Sequence, residues 1–577
     1  MTERYYTTST AFLEALAEAG VTYVFANLGS DHPGLIEALA QAHAEGRSAA
    51  LPQVIVCPHE TVALSAAHAY AMVTGEPQAV AVHVDAGTQN LSGAVSNAMR
   101  GRAPVLVFAG MSPFTQDGEL PGSRTEFIHW IQDGPDQRGI LRNYVKYENE
   151  IRTGRNVKQL VHRALQLARS EPAGPVYLVG AREVMEEPLA PYTVDPRFYS
   201  AVTPPALTHE VTAQIAAALA AAQHPLIVTS YLGRDPSAVA SLVALAELLA
   251  IPVVEAMAYH VNFPHDNPLH GGYQYHSVTQ NPLLAEADVV LVIDSDVPWI
   301  PSVNRPSDGT AIYYLDIDPL KLHIQLWHVP TVLSATVNSK VAVEQIAAYV
   351  RDRDLVNEET LSERRSAAVA RHERALAGRD AAEQPKDGVI TAEYLTACVR
   401  RLLDGEDALI LTEVVTNSKA VQEHLRPNRP GSVLHHGGGA LGWSGGAPVG
   451  AKLACPERTV VSLVGDGSFL FSVPSSALWV QRRYNVPALT VIYNNRGWAG
   501  PKFSTLMVHP DGAAARADDF HASLEPGVDL PGVALAAGAG FGATVSDPDE
   551  LPRVLKDSLA VVHGGRSAVV SVQLPRV

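Results

Sequence analysis

The sequence is poor in cysteine and lacks clusters of basic residues. Its 577 residues include three cysteines, Cys57, Cys398 and Cys455, which lie far apart and form no CxxC pair. This spacing argues against a disulfide framework and against a cysteine-ligated zinc site. Lys and Arg number 43 against 60 Asp and Glu, which gives a formal net charge of -17. Binding to nucleic acid or to an anionic membrane surface is therefore not expected, since both require concentrated positive charge.

Long uncharged apolar runs are also missing, and the first residues show no charged-apolar-small leader pattern. We therefore expect no membrane span and a cytoplasmic location. The composition, 47% hydrophobic and 18% charged, is ordinary for a globular enzyme. A chain of 577 residues is too long for a single hydrophobic core and indicates about three domains.

The sequence does contain a repeated alternation of short apolar runs with helical patterns. This alternation predicts an α/β fold of parallel sheets covered by helices. It is interrupted by a proline-rich acidic segment, 181–198, and by a charged, alanine-rich segment, 357–387. We therefore predict three doubly wound parallel-sheet domains, at residues 1–185, 200–352 and 388–577.

Two polar turns stand out in the last of these domains. Gly465-Asp466-Gly467 follows one apolar run, and Asn494-Asn495 ends the next, with a helical stretch between them. In such a βαβ unit both turns emerge at the carboxyl edge of the sheet, where open α/β sheets bind ligands. Carboxylate and amide oxygens at that edge suit Mg²⁺ or Ca²⁺. Either turn alone is explained equally well as an ordinary polar turn.

The pairing of the two turns resembles the cofactor motif of thiamine-diphosphate enzymes. The resemblance implies that Asp466, Asn495 and the backbone carbonyl of Gly497 hold Mg²⁺, which in turn holds the diphosphate. The N–H groups at the start of the following helix are expected to bind the diphosphate as well. The cofactor-binding residues implied around these turns are Gly465, Gly467, Ser468, Asn495 and Trp498.

A second candidate, Glu60, lies far earlier in the chain. It opens a helical stretch, where the helix dipole alone favours an acidic residue. The segment HETVALSAAHAYAMVTGEP, followed by AVAVHV and DAGTQN, resembles the pyrimidine-binding domain of the same family. The resemblance implies that Glu60 activates the cofactor, as a carboxylic acid that donates to a nitrogen of the pyrimidine ring. A mostly apolar cleft, which we expect around Glu60, favours that neutral form.

Two other turns of the first domain offer groups for a substrate. Ser30, Asp31 and His32 follow one strand-like run, and His83 ends another. The first turn is also explained as a capped helix entrance, and His83 as a satisfied core residue. His83 and Ser30 resemble the pattern of benzoylformate-decarboxylase-like members, whereas acetolactate-synthase-like members have a small polar residue in place of the histidine. We therefore expect these residues to bind substrate and transfer protons.

The glycine cluster at 437–446 permits three interpretations. It fits GxGxxG, but Glu457, the acid about 20 residues further on, precedes the next strand instead of ending it. It also fits the GxSxG elbow of hydrolases, although glycines intervene where an apolar strand is required. In thiamine-diphosphate enzymes the equivalent loop faces the cofactor. The resemblance implies that Glu413, Gly439 and Leu441 bind the cofactor, Leu441 by wedging it into a bent shape.

The resemblance covers nearly the whole chain, in the order pyrimidine-binding, central and diphosphate-binding domain. It implies a lyase that cleaves a 2-oxo acid or related carbonyl compound, closest to benzoylformate decarboxylases. An acetolactate-synthase-like carboligase is the alternative, and a non-catalytic cofactor-binding subunit is a third. It also implies a homodimer or homotetramer with active sites at subunit interfaces.

Two departures from the family pattern argue against particular activities. The segment after Asn495 lacks the acid of pyruvate decarboxylases, and the central domain lacks a persuasive flavin signature. It offers only Gly233-Arg234-Asp235-Pro236 as a nucleotide loop. Whether FAD or ADP binds there stays open at this point.

Overall fold

The computed structural model describes residues 6–275 and 279–576. Within these residues the chain forms three six-stranded sheets, and every strand pairing is parallel. The predicted α/β class with three doubly wound sheets is confirmed. The sheets lie within the three predicted ranges, while the domain bounds themselves stay predictions.

The first sheet has the strand order β2-β1-β3-β4-β6-β5. Its strands are β1 (Tyr23–Asn27), β2 (Gln53–Val56), β3 (Gln78–Val82), β4 (Val105–Met111), β5 (Tyr147–Ile151) and β6 (Val176–Ala181). The helices of this part are α1 (Thr8–Glu18), α2 (Pro33–Ala44), α3 (Glu60–Thr74), α4 (Asp85–Asn90), α5 (Ser92–Arg100), α6 (Ile128–Ile131), α7 (Val157–Arg169) and α8 (Arg182–Met185).

The second sheet has the order β12-β11-β10-β7-β8-β9. Its strands are β7 (Pro225–Thr229), β8 (Val253–Ala256), β9 (His270–Gln274), β10 (Val289–Ile293), β11 (Ala311–Asp316) and β12 (Leu333–Thr336). The helices are α9 (His209–Ala221), α10 (Pro236–Leu249), α11 (Pro282–Glu286), α12 (Ser339–Asp352) and the long connecting helix α13 (Glu358–Ala382).

The third sheet has the order β14-β13-β15-β16-β18-β17. Its strands are β13 (Ala408–Glu413), β14 (Val433–His435), β15 (Thr459–Gly465), β16 (Leu489–Asn494), β17 (Phe541–Val545) and β18 (Ala568–Gln573). The helices are α14 (Ala392–Leu402), α15 (Ser418–Leu425), α16 (Trp443–Ala454), α17 (Asp466–Phe471), α18 (Pro474–Arg483), α19 (Ala499–Val508), α20 (Ala513–Ala517), α21 (Leu530–Ala537) and α22 (Leu551–His563).

The strands are apolar because helices cover both faces of each sheet. In β1, Val24 and Ala26 pack into the core on one face while Phe25 packs into the core on the other. All five residues of β10, the sequence VVLVI, are buried. Near-continuous burial of this kind is typical of parallel sheets.

The predicted helix between the two polar turns is in fact two helices, α17 and α18. Val473 has φ +52°, and Pro474 opens α18. Proline has no N–H to continue the preceding helix, but it fits the first helical position. The break therefore follows from the sequence Val473-Pro474.

The first and third sheets share one strand order and meet through the helices α3 and α16. A Cβ built on Gly446 would lie 2.1 Å from the carbonyl oxygen of Val62, and one on Gly450 would lie 1.8 Å from that of Ala66. Glycine is therefore required at both positions, since the backbones of the two helices touch. This contact joins the helix that begins at Glu60 to the helix that follows the glycine cluster.

No helix in residues 6–275 and 279–576 has both the length and the apolar character of a membrane span.

Candidate active site

Glu60 lies at the carboxyl edge of the first sheet, as the first residue of α3. Its side chain is buried, and each of its carboxyl oxygens accepts a hydrogen bond from an amide. The Nδ2 of Asn27 donates over 2.8 Å and the Nδ2 of Asn90 over 3.0 Å. The surroundings of Glu60 are thus more polar than the expected apolar cleft, and the two amides fix the orientation of the carboxyl group.

Asp31 and His83 form a hydrogen-bonded pair at the same edge. His83 Nδ1 lies against Asp31 Oδ1, and the N–H of Val84 donates to Asp31 Oδ2 over 3.1 Å. His32 Nδ1 also lies 3.1 Å from Asp31 Oδ1. The side chain of Asp31 is fully buried, whereas that of His83 is 23% exposed. The pair therefore presents an imidazole, backed by a carboxylate, toward solvent.

The electrostatics of this pair favour charge separation. Burial raises the pKa of Asp31, but the interactions with His32 and His83 outweigh burial and hold this pKa well below its usual range. The hydrogen bond to Asp31 raises the pKa of His83, against the opposing effect of its partial burial. Asp31 is consequently ionised at neutral pH, and the protonated form of His83 is favoured.

Two glycines make room for the pair. A Cβ on Gly29 would lie 2.0 Å from His83 Nδ1, and one on Gly110 would lie 1.9 Å from Asp31 Oδ2. Neither residue can be replaced without moving Asp31 or His83. The first glycine of the turn Asn27 to Gly34 thus serves the geometry of the pair.

Ser30 belongs to a different polar group from Asp31. Its hydroxyl lies 3.2 Å from Nε2 of His129, a buried residue of α6. Burial and the nearby Arg182 lower the pKa of His129, so the neutral imidazole is favoured. His32 is also buried, with its Nε2 making no hydrogen bond among the described residues.

At the carboxyl edge of the third sheet, Asp466 and Asn495 converge. Asp466 Oδ2 and Asn495 Oδ1 accept from the same N–H, that of Gly497, over 3.2 and 3.3 Å. Asp466 Oδ1 also accepts from the N–H of Gly467 over 2.9 Å. Burial raises the pKa of Asp466 against these donors. Two oxygen ligands of the kind that Mg²⁺ prefers therefore lie side by side.

Trp498 closes one side of this region. A Cβ on Gly467 would come within 2.4 to 2.8 Å of the carbons of the Trp498 ring. Ser468, in the first turn of α17, is buried beside Gly467, and Gly465 ends β15 just before this helix. A cavity of about 140 Å³ is lined by Asn495, Gly497 and Trp498.

The glycine cluster packs on the first domain. The backbone of Ala440 exchanges two hydrogen bonds with the side chain of Asn97, over 2.7 and 3.0 Å. Gly437 and Gly442 have φ of +76° and +99°, which explains two glycines of the GxGxxG pattern without a dinucleotide. Gly439 is exposed, with no atom within 4 Å of an added Cβ, and Leu441 is half-buried.

Glu413 holds the end of this loop. Its two carboxyl oxygens accept from the N–H groups of Gly442 and Ser444, over 2.6 and 2.7 Å. Burial raises the pKa of Glu413 to about 7, and the hydrogen bonds from Ser444 and Gly442 oppose that rise. Both oxygens thus face the start of α16, so Glu413 positions the loop in this structure.

The sequence of the chain matches family models along most of its length. Residues 6–140, 212–336 and 413–572 match the N-terminal thiamine pyrophosphate binding domain, the central domain and the C-terminal thiamine pyrophosphate binding domain of thiamine pyrophosphate enzymes. The chain belongs to the thiamine pyrophosphate enzymes. The family resemblance is thereby confirmed, and thiamine diphosphate is the cofactor of this enzyme.

Relatives that match nearly the full length of this thiamine pyrophosphate enzyme include a decarboxylase and an acetolactate synthase. Benzoylformate decarboxylase of Pseudomonas aeruginosa is 26% identical over 96% of this chain and 97% of its own. Acetolactate synthase of Bacillus subtilis is 24% identical over 95% of this chain and 90% of its own. Among solved structures, 4-hydroxybenzoylformate decarboxylase of Rhodococcus jostii has a TM-score of 0.77 at 21% identity, and covers 99% of this chain and 100% of its own. The last match shows a common fold.

The residues present fit the cofactor of this family. Asp466 and Asn495 supply hard oxygen ligands for a divalent cation, and α17 begins beside them with its positive helix end, which favours a phosphate. Gly439 leaves open space where its loop meets α5 of the first domain. Glu60 is on α3, the helix that packs against α16, and its carboxyl group is held by the side-chain amides of Asn27 and Asn90.

Sequence reasoning missed the residues that position others. Asn27 and Asn90 hold Glu60, Asn97 holds the glycine loop, and His129 pairs with Ser30. Asn27 could have been predicted as a site residue, since it ends β1 at the carboxyl edge of the sheet. The other three carry no sequence signal, because each meets its partner only through tertiary packing.

The carboxyl edge of the second sheet carries a group of charged side chains that come from two domains. At the switch point between β7 and β10, where such sheets bind nucleotides, Lys321 Nζ lies 2.7 Å from Asp316 Oδ2 and 2.8 Å from Asp296 Oδ1. Arg102, from the first domain, lies 3.2 Å from Asp296 and over the ring of Tyr231. These side chains lie at the edge of the sheet where FAD or ADP would bind.

The proposed nucleotide loop has another explanation. A Cβ on Gly233 would lie 2.2 Å from the carbonyl oxygen of Val261, and the N–H of Gly233 donates to Asn262 Oδ1 over 2.9 Å. Arg234 lies 3.1 Å from Asp294 Oδ2. The glycine thus serves a close backbone approach.

Proposed function

We propose that this thiamine pyrophosphate enzyme cleaves a carbon–carbon bond of a 2-oxo acid or related carbonyl compound, as a decarboxylase of the benzoylformate decarboxylase type. The observation that carries the proposal is the Asp31–His83 pair at the sheet edge that also holds Glu60. When bound, thiamine diphosphate supplies the nucleophilic carbon and takes up the electrons of the broken bond. The partly exposed imidazole of His83 then provides the proton transfer that such a lyase needs.

We assign a role to each residue at this edge. Glu60 holds the pyrimidine ring of the cofactor and sets its protonation. Asp31 stays ionised and keeps the Nδ1–H of His83 in place, so that Nε2 of His83 exchanges the proton with the substrate. Ser30 and His32 line the place where the carbonyl compound binds.

We assign the diphosphate end of the cofactor to the third sheet. Asp466, Asn495 and the carbonyl of Gly497 hold Mg²⁺, and Gly465, Gly467 and Ser468 surround the diphosphate. Leu441 and Gly439 contact the rings, while Glu413 supports their loop through its bonds to Gly442 and Ser444. Trp498 bounds the site beside Gly467.

A carboligase is the second candidate, because relatives named acetolactate synthase match nearly the whole chain. The two functions differ in whether a second carbonyl compound enters after the first bond is broken. Incubation of the protein with Mg²⁺, thiamine diphosphate and a panel of 2-oxo acids, including benzoylformate, separates them. Release of carbon dioxide with free aldehyde supports the decarboxylase, whereas acyloin formation as the main product overturns it in favour of the carboligase. No turnover of any substrate would support a non-catalytic subunit.

We also infer a cytoplasmic homodimer or homotetramer whose sites are shared between subunits, as the resemblance implies. Mixing inactive Glu60→Gln protein with inactive Asp466→Ala protein tests this arrangement. Shared sites restore about a quarter to a half of the activity, since one intact site forms per mixed dimer. Lack of recovery, with heterodimers shown by native mass spectrometry, would instead favour the arrangement within one chain, in which α3 already packs on α16.

A further inference from the structure

A buried group of three metal-binding side chains lies in the central domain, away from the cofactor site. Glu255 is in β8, His270 opens β9, and His265 lies in the connection between them. All three side chains are 1% exposed. Each offers a ligand atom, and these atoms lie within 4.8 Å of one another.

The two imidazoles converge on one oxygen. His265 Nε2 lies 2.8 Å and His270 Nε2 3.2 Å from the same atom, Oε2 of Glu255. The two rings are tilted by 31° to each other, with their centroids 3.9 Å apart. Zinc bonds of about 2.0 to 2.2 Å in tetrahedral geometry place neighbouring ligand atoms roughly 3.3 Å apart. One of the two spacings already matches, and the other needs to open by about half an ångström.

The second carboxylate oxygen of Glu255 is held in place by an outer hydrogen-bond donor. Glu255 Oε1 accepts from both the N–H and the Nδ2 of Asn262, each over 3.0 Å, which fixes the carboxylate as outer partners of metal ligands do. Nδ1 of each histidine is buried and has no hydrogen-bond partner among the described residues. No protein group therefore prevents either ring from carrying its proton on Nδ1 and leaving the Nε2 lone pair free for a cation.

We propose that Glu255, His265 and His270 bind a divalent transition metal of the zinc type. Two imidazole nitrogens and one carboxylate suit Zn²⁺, Co²⁺ or Ni²⁺ better than Mg²⁺, which prefers oxygen ligands throughout. Because the three side chains are buried, the site is structural: the metal fastens the connection 257–269 to β8 and β9.

The connection 257–269 contacts the third domain close to the glycine cluster. The N–H of His265 donates to the carbonyl of Pro427 over 3.2 Å, and the N–H of His435 donates to the carbonyl of Tyr259 over 2.9 Å. His435 ends β14, directly before the glycines. A metal at Glu255 therefore supports the strand from which the cofactor loop leaves.

Cobalt titration of untagged, chelator-treated protein tests the proposal. The wild type is expected to take up one equivalent of Co²⁺ with sub-micromolar affinity, seen by calorimetry and by visible absorption bands. His265→Gln and His270→Gln should each weaken binding by more than the tenfold to hundredfold typical of a lost outer partner. His372→Gln is the matched control, since His372 is also buried near His270 but outside the cluster, and it should keep the full equivalent.

Asp466→Ala separates this site from the cofactor metal. The variant should retain its Co²⁺ equivalent, because Asp466 lies in another domain. If both glutamine variants fail to fold, Co²⁺ uptake by the Asp466→Ala protein tests the proposal by itself. Tight binding of one equivalent of Co²⁺ then supports the site in the central domain. Absence of tight uptake in the wild type, or unchanged uptake in folded His265→Gln and His270→Gln, would show a purely hydrogen-bonded cluster and overturn the proposal. Neither result depends on turnover, so it is independent of the proposed function.

Discussion

The contact between α3 and α16 predicts that Gly450→Ala is severely damaging. The new Cβ would lie 1.8 Å from the carbonyl oxygen of Ala66, whereas real Cβ atoms essentially never come within 3.0 Å of a neighbour. The two helices would thus have to separate by roughly 1.2 Å, since neither backbone can yield like a flexible side chain. Overpacking of this kind costs about 1 to 3 kcal/mol.

The effect of Gly450→Ala can be measured as a loss of thermal stability and as a loss of turnover. For a domain of this size 1 kcal/mol corresponds to about 2 to 4 °C, so the melting temperature should fall by roughly 2 to 12 °C. Glu60 begins α3 and would move with it. A misplacement of about 1 Å can lower turnover roughly a hundredfold even in folded protein.

Gly378→Ala is the matched control for this change. Gly378 is exposed in α13 and has no atom within 4 Å of an added Cβ. Replacing a mid-helix glycine by alanine stabilises by about 0.5 to 1 kcal/mol, so the melting temperature should rise by about 1 to 4 °C with activity unchanged. Equal melting temperatures and equal activity for Gly450→Ala and the wild type would refute the close helix contact.

Three further outcomes follow from the site and the central domain. Asp31→Asn removes the carboxylate that raises the pKa of His83, so the His83 limb of the pH–rate profile should move to lower pH; an unmoved limb would count against the pair. Leu441→Asp should abolish turnover while circular dichroism shows an intact fold, and full activity would exclude the wedge role. Arg102→Ala removes one of the two cations beside Asp296 and Asp316 and should cost about 3 to 5 kcal/mol in urea unfolding. A loss below about 1 kcal/mol, the value of an exposed pair, would contradict the burial of Arg102.

The convergence of the two polar turns could be predicted from the sequence because their geometry is local. Asp466 and Asn495 each follow a strand of one βαβ unit, so the parallel pairing of β15 with β16 brings them together. Glu60 was predicted differently, from the resemblance of its segment to a pyrimidine-binding domain, because its place at the start of a helix is explained by the helix dipole alone. The three-sheet fold was predicted from strand and helix alternation, which depends on periodic burial alone.

What the sequence could not supply are contacts between distant segments. Asn90 meets Glu60 from a separate helix, and Arg102 reaches from the first domain to the edge of the second sheet. In the sequence Gly450 is an ordinary small residue, and only the packing of α3 against α16 shows that a glycine is required there. No spacing motif in the sequence indicates the cluster of Glu255, His265 and His270. Its three side chains come one each from a strand, the following connection and the next strand.

The arginine that crosses between sheets determines how the protein can be divided. Asp294 and Asp316 are buried and Asp296 is half-buried, and three cations surround them: Arg234, Lys321 and Arg102, the last of which comes from the first domain. A central domain cut out at its linkers would keep the three carboxylates with only two of these cations. We therefore expect such a fragment to be less stable although its sheet is complete, and chimeric proteins that exchange this domain between relatives need to carry residue 102 along with it.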